Sequence, residues 1–134
     1  MTDPATILFG ICSADSTAQS FLLSEGTFRL FPAGAVEQEQ TVPYATHAIV
    51  GGHVENSMDS PSRADNARIQ LDTWGDSRDE AKTISQALRD AYENTATQSA
   101  YGVGIRTIGP NPEYRDPKTK RYCVSLDLSL WVTS

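Results

Sequence analysis

Basic residues are scarce in the first half of this chain. Residues 1–60 hold one base, Arg29, against seven acids: Asp3, Asp15, Glu25, Glu37, Glu39, Glu55 and Asp59. Residues 61–134 hold ten of each sign, so the whole formal charge of −6 sits in the first half. No basic stripe exists to release counterions from phosphates, which argues against electrostatic binding of nucleic acid. Cysteine is nearly missing. Cys12 and Cys123 lie far apart, at no metal-ligand spacing, and are expected to be buried free thiols of a protein made in a reducing cytoplasm. The only histidines, His47 and His53, flank a glycine pair at a spacing that suits no metal. No apolar run approaches the ~18 residues of a membrane span. Met1-Thr2-Asp3 lacks a basic region and Ile7 to Cys12 is short, so no secretory leader is expected.

Signatures of chemistry are also absent. Gly102-Val103-Gly104 with Gly109 is too widely gapped for a dinucleotide fingerprint. Met58 to Asn66 carries acids without the alternation of a calcium loop. There is no nucleophile elbow and no cysteine–histidine signature. Asp72 and Asp127 each interrupt an apolar strand and are expected on the polar side of a sheet. We therefore expect no catalytic, metal-binding or cofactor-binding residues.

What is present is a pattern of strands and helices. Ala67 to Trp74 alternates, then passes through Gly75 and Asp76 into an amphipathic helix. Ser77 and Glu80 have capping-box spacing. Ala81, Ile84, Leu88 and Ala91 form one apolar stripe, with Arg78, Lys82, Gln86, Arg89 and Glu93 opposite. The last strand alternates without a break. Tyr122, Val124, Leu126, Leu128 and Leu130 share one face, and Cys123, Ser125, Asp127, Ser129 and Trp131 the other. Further strands are expected over Thr27–Phe31, Tyr44–Val50 and Val103–Ile108. Asp3-Pro4 opens an N-terminal helix and Asp15 caps a second. Asn94 to Ser99 reads as a polar connector. Pro32 to Pro43 and Asn56 to Asp65 read as long loops, and Pro110 to Pro117 as a turn ending in the basic patch Arg115, Lys118, Lys120 and Arg121. The expected fold class is α+β, with residues 1–134 as one domain. Its sheet is mostly antiparallel, of about four to five strands, with the long helix and the N-terminal helix packed on one face.

This ordered set of patterns resembles the tail completion, or tail terminator, proteins of tailed bacteriophages. The resemblance runs through Phe28-Arg29-Leu30-Phe31-Pro32, Val42-Pro43-Tyr44, Ser57-Met58-Asp59-Ser60, Ala67 to Trp74, the helix with Glu80-Ala81 and Leu88-Arg89, and Tyr122 to Leu128. It implies a structural virion protein and brings no catalytic residues. It further implies a homo-oligomeric ring, usually a hexamer, that caps the head-proximal end of the tail tube and stops its polymerisation. The implied partners are the tail tube protein and a head-completion or stopper protein. Genomic DNA passes through the bore without sequence-specific binding, and no membrane is involved. The implied location is the tail–neck junction of the virion, after assembly in the cytoplasm of the bacterial host.

A closed ring needs a heterologous contact, in which one patch meets a different patch on the next copy. The candidate contact sets Glu37 and Glu39 of one copy against Arg115, Lys118, Lys120 and Arg121 of its neighbour or of the tube. Glu55 and Asp127 are candidates for an acidic lumen. The alternatives are a stopper or connector protein on the head side of the neck, a small α+β enzyme in which Asp72, Asp127 or His47 converge, and a nucleic-acid-binding sheet domain.

Overall fold

A computed structural model describes residues 4–24, 26–34, 42–54, 64–108, 112–117 and 120–133. The chain begins with helix α1 (Pro4–Ala14) and helix α2 (Ser16–Leu22). Asp15 separates them and caps α2, its carboxylate accepting from the Ala18 N–H at 2.9 Å. Gln19 of α2 reaches back to a free carbonyl of α1, at Ser13, with its side-chain amide at 2.6 Å.

Strands β1 (Leu23–Ser24) and β2 (Thr27–Phe28) form a small antiparallel ribbon. Strand β3 (Leu30–Pro32) follows at once. The single strand expected over Thr27–Phe31 is thus two, divided at Arg29. The reason is that its two ends have different partners. The Arg29 N–H bonds the Leu22 carbonyl at 2.9 Å, while its own carbonyl accepts from Ala45 at 3.0 Å.

The main sheet holds β3, β4 (Tyr44–Val54), β5 (Ala64–Gly75), β8 (Tyr122–Thr133), β6 (Val103–Thr107) and β7 (Glu113–Arg115). Their order is β3-β4-β5-β8-β6, with β7 pairing the start of β8. Only β3–β4 is parallel. The sheet therefore has six strands among the described residues, against the four or five expected from sequence. The strand that was not expected is β7, whose three residues are too few for alternation to reveal, whereas β3 is the end of the strand expected over Thr27–Phe31. Strand β4 also outruns its expected stop at Gly51-Gly52. A bulge between Ile49 and Gly51 absorbs the extra residue, and pairing resumes through Val54.

Helix α3 (Arg78–Glu93) packs on this sheet through the expected stripe, since Ala81, Ile84, Leu88 and Ala91 are all buried. Full burial of a leucine such as Leu88 contributes about 1.5–3 kcal/mol. The start of α3 follows the capping box. The Ser77 hydroxyl accepts from the Glu80 N–H at 3.1 Å, and the Glu80 carboxylate accepts from the Asp76 N–H at 2.9 Å. Helices α1 and α2 pack against α3, and one core joins Leu8, Ile11, Leu22, Ile69, Leu71, Leu126, Leu128 and Leu130. The buried Cys12 thiol lies 2.7 Å from the Tyr92 hydroxyl of α3.

Residues expected as a polar connector form helix α4 (Thr95–Tyr101). The Asn94 side chain caps it at Thr97, and Gly102, in the left-handed conformation, ends it. None of its residues is buried, so it carries no apolar stripe. What fixes it is Gln98, whose amide donates to the carbonyls of Tyr92 (2.6 Å) and Ile105 (3.0 Å), tying the end of α3 to β6.

Candidate interaction surfaces

The β7–β8 hairpin brings three of the expected basic residues together. Between its strands the Asp116 N–H bonds the Arg121 carbonyl at 2.8 Å, and the Lys120 N–H bonds the Asp116 carbonyl at 2.7 Å. These two bonds hold Lys120 in the left-handed region, at φ 61°, where few non-glycine residues are found. The Arg115 guanidinium lies 5.6 Å from the centre of the Tyr122 ring, and that of Arg121 lies 6.0 Å from Tyr44. Both are within cation–π range, so the cations are held by rigid aromatic rings. Lys118, Glu37, Glu39 and Glu55 lie outside the described residues.

Glu113 of β7 fixes this hairpin to α3. Its carboxylate meets Arg78 at 2.6 Å and Lys82 at 3.4 Å. Hydrogen bonding to Arg78 holds the Glu113 carboxyl below its ordinary range, and the same contact raises Arg78. From sequence, Arg78 and Lys82 read as part of a solvated helix face. Their four-residue spacing, which sets two cations side by side, is the one local hint that they share an acid.

The sheet face away from the helices carries paired polar groups. Asp127 bonds Arg68 through one carboxylate oxygen; the other is buried and has no donor among the described residues. Asp72 accepts from Gln70 and from the Ser125 hydroxyl, and Asn66 donates to the Ser129 hydroxyl at 2.7 Å. Asp72 and Asp127 thus lie on the expected face, yet each has its own partner, and they do not act as a carboxylate pair. His47 pairs across to Leu71, on the opposite, core-side face. A cleft of about 330 Å³ opens between Val50, Gln70 and Pro112, with Asp127 as the one ionisable group among its described lining residues. The convergence of Asp72, Asp127 and His47 that an enzyme would require does not occur. Among the described residues no cluster of three or more His, Cys, Asp or Glu could hold a metal. No described helix is long and apolar enough to cross a membrane.

At the hairpin end of this face lies a row of aromatic rings. Tyr44 stacks on Trp74 at 6.2 Å, and Trp74 meets Tyr114 edge-on at 5.7 Å. Burial pushes the Cys123 thiol beneath them up to about 12, and burial with the Cys123 contact raises the Tyr114 hydroxyl. A thiol kept protonated in this way is a poor nucleophile. Sequence reasoning missed this row, because its members come from three strands that only the sheet order makes neighbours.

The arrangement therefore offers surfaces instead of a reaction centre, and comparison with known proteins agrees. Residues 8–133 match the family model described as tail completion protein gp17. The chain belongs to this family. Its members are structural proteins of the phage tail, so this one is a virion structural protein and not an enzyme. The solved structures include a similar chain, from the virion of a native gene transfer agent particle. It matches with a TM-score of 0.65 at 14% identity, over 95% of this chain and 92% of that one. At that identity the likeness concerns the fold. No curated protein matches this chain. For a tail completion protein, the useful geometry is the rigid basic hairpin at one end of the sheet and a sheet face whose Arg68–Asp127 pair is internally neutralised.

Proposed function

We propose that this tail completion protein forms a ring, a hexamer, that caps the head-proximal end of the tail tube. The ring ends tube polymerisation and presents a joining surface to a head-completion or stopper protein at the tail–neck junction. It assembles in the cytoplasm of the bacterial host, and genomic DNA later passes through its bore. The family match over residues 8–133 carries this reading. Two features of the chain support it. Its formal charge lies wholly in the first half, while Arg115, Lys120 and Arg121 cluster in one hairpin, which gives a copy two unlike patches for a heterologous, closing contact. The cations of that hairpin, with Lys118, face the acidic half of the next copy, Glu37 and Glu39 included. In the bore, Glu55 contributes negative charge. Asp127 contributes little, because Arg68 neutralises it.

Mass measurement by light scattering, alone and with tail tube subunits of the same particle, tests the reading. The expected result is a closed oligomer that forms in the presence of tube subunits and blocks their further addition. Particles that lack this protein yet keep tails of normal length would refute it, and labelling on the head side of the neck would favour a stopper instead.

A further inference from the structure

The most unusual surface of the molecule is its N-terminal helical pair. From Pro4 to Ser24 the chain holds one charged side chain, Asp15, although 21% of all residues are charged. Helix α1 holds none at all. A helix without charge on any face normally lies inside a protein or an interface. Here the inner side is covered, with Ile7, Leu8, Ile11 and Cys12 buried, but Phe9 on the outer side is 41% exposed. It meets Phe28 edge-on at 5.7 Å, and Phe28 pairs across the β1–β2 ribbon with Leu23, 49% exposed. Phe21, two residues earlier in the chain, is 36% exposed as well. Depletion of charge with enrichment in aromatic residues is the composition of a stable interface core.

We infer that this surface is the apolar centre of the contact between copies, and that it seats on the Tyr114, Arg115, Lys120 and Arg121 hairpin of the next copy. The inference rests on the ring reading above and names the part of the ring contact that supplies its affinity, since exposed charge pairs contribute little alone. Three observations choose a second copy as the occupant. First, every copy carries −6 in residues 1–60, but Pro4–Ser24 holds only one of the seven acids there, Asp15, so another copy can approach it with little setting of acid against acid. Second, the hairpin offers the matching chemistry. Tyr114 is 47% exposed in a hairpin that also carries three cations, Arg115, Lys120 and Arg121, and Asp15 is the single anion on the apolar side. Third, the two surfaces sit at opposite ends of α3. The hairpin is fixed to its first turn through Arg78–Glu113, and α1 meets its last turn through Cys12–Tyr92. Arg78 and Tyr92 lie about 21 Å apart along the axis, at about 1.5 Å per residue. Patches so separated cannot satisfy each other within one copy, and they suit a head-to-tail contact.

The test uses the full chain. Phe9→Ser with Leu23→Ser changes exposed side chains, so the free protein should melt within a few degrees of wild type. Its half-assembly concentration with tail tube subunits, read by light scattering, should rise at least tenfold. Separately, Leu23→Cys and Tyr114→Cys proteins, both also carrying Cys123→Ser because Cys123 is the cross-strand partner of position 114, are mixed and oxidised with copper phenanthroline. A disulfide-linked dimer should form in the mixture well above either variant alone, and this arm stands if the serine double variant folds poorly. Rings formed by the serine variant at the wild-type concentration, or equal cross-linking in mixture and single variants, would overturn the inference and leave the ring reading standing. Wild-type protein that makes no closed oligomer with tube subunits would overturn both.

Discussion

Replacing Gly75 with alanine tests how the sheet hands the chain to α3. A Cβ at this position would sit 2.9 Å from the Glu80 carboxylate and 3.0 Å from the Ala81 backbone nitrogen. Neither can yield without loss. The carboxylate accepts from the Asp76 N–H at 2.9 Å, and the Ala81 N–H makes a first-turn bond to the Ser77 carbonyl at 3.1 Å. Overpacking of this kind costs about 1–3 kcal/mol, and losing the Asp76–Glu80 bond costs about 0.5–1.5 kcal/mol more. Against this, alanine restricts the unfolded chain and returns about 0.4–1 kcal/mol. The net expectation is destabilisation by about 1–3 kcal/mol. In a chain of this size that lowers the melting temperature by about 3 °C per kcal/mol. Urea and thermal unfolding of the purified protein measure it. Glu80→Ala in the same chain removes one of the two obstacles, so the double variant should be more stable than the sum of the single effects implies, by about 0.5–1.5 kcal/mol. A Gly75→Ala protein at least as stable as wild type would refute the close-approach argument. The outcome bears on function, because the first two turns of α3 hold Arg78 and Lys82, which anchor Glu113 and with it the basic hairpin.

Two further predictions concern buried groups. Burial pushes the Cys12 and Cys123 thiols from 9.0 up to about 12, so neither should react with a thiol reagent at pH 8 until the protein unfolds. The same shift has a stability consequence. The unfolded chain loses these protons above about pH 9 while the folded chain keeps them, so their contribution is full below that pH and declines toward about pH 12. Rapid labelling of native protein would contradict this. For Arg29, Nε and Nη2 are buried without an acceptor among the described residues, a costly state for a cation. Arg29→Met, which keeps an unbranched apolar stem and removes the guanidinium, should leave the melting temperature unchanged or raise it by a few degrees. A clear loss of stability would show that the guanidinium has a partner.

Local physics wrote much of this fold into the sequence. The alternation in β5 and β8, the stripe on α3 and the caps at Asp15 and Ser77 each depend on residues within a few positions, and all occur as expected. Elements without such a signature were not legible. Helix α4 buries nothing, and β1 and β7 are too short to show a period. Tertiary structure alone decided which segments meet. Arg68 finds Asp127, Arg78 finds Glu113 and Cys12 finds Tyr92 across 59, 35 and 80 residues. The aromatic row of Tyr44, Trp74 and Tyr114 exists only because β8 lies between β5 and β7. A two-residue period fixes which face a side chain takes, but it carries no record of the neighbouring strand or of the register. Those follow from closing the whole core at once.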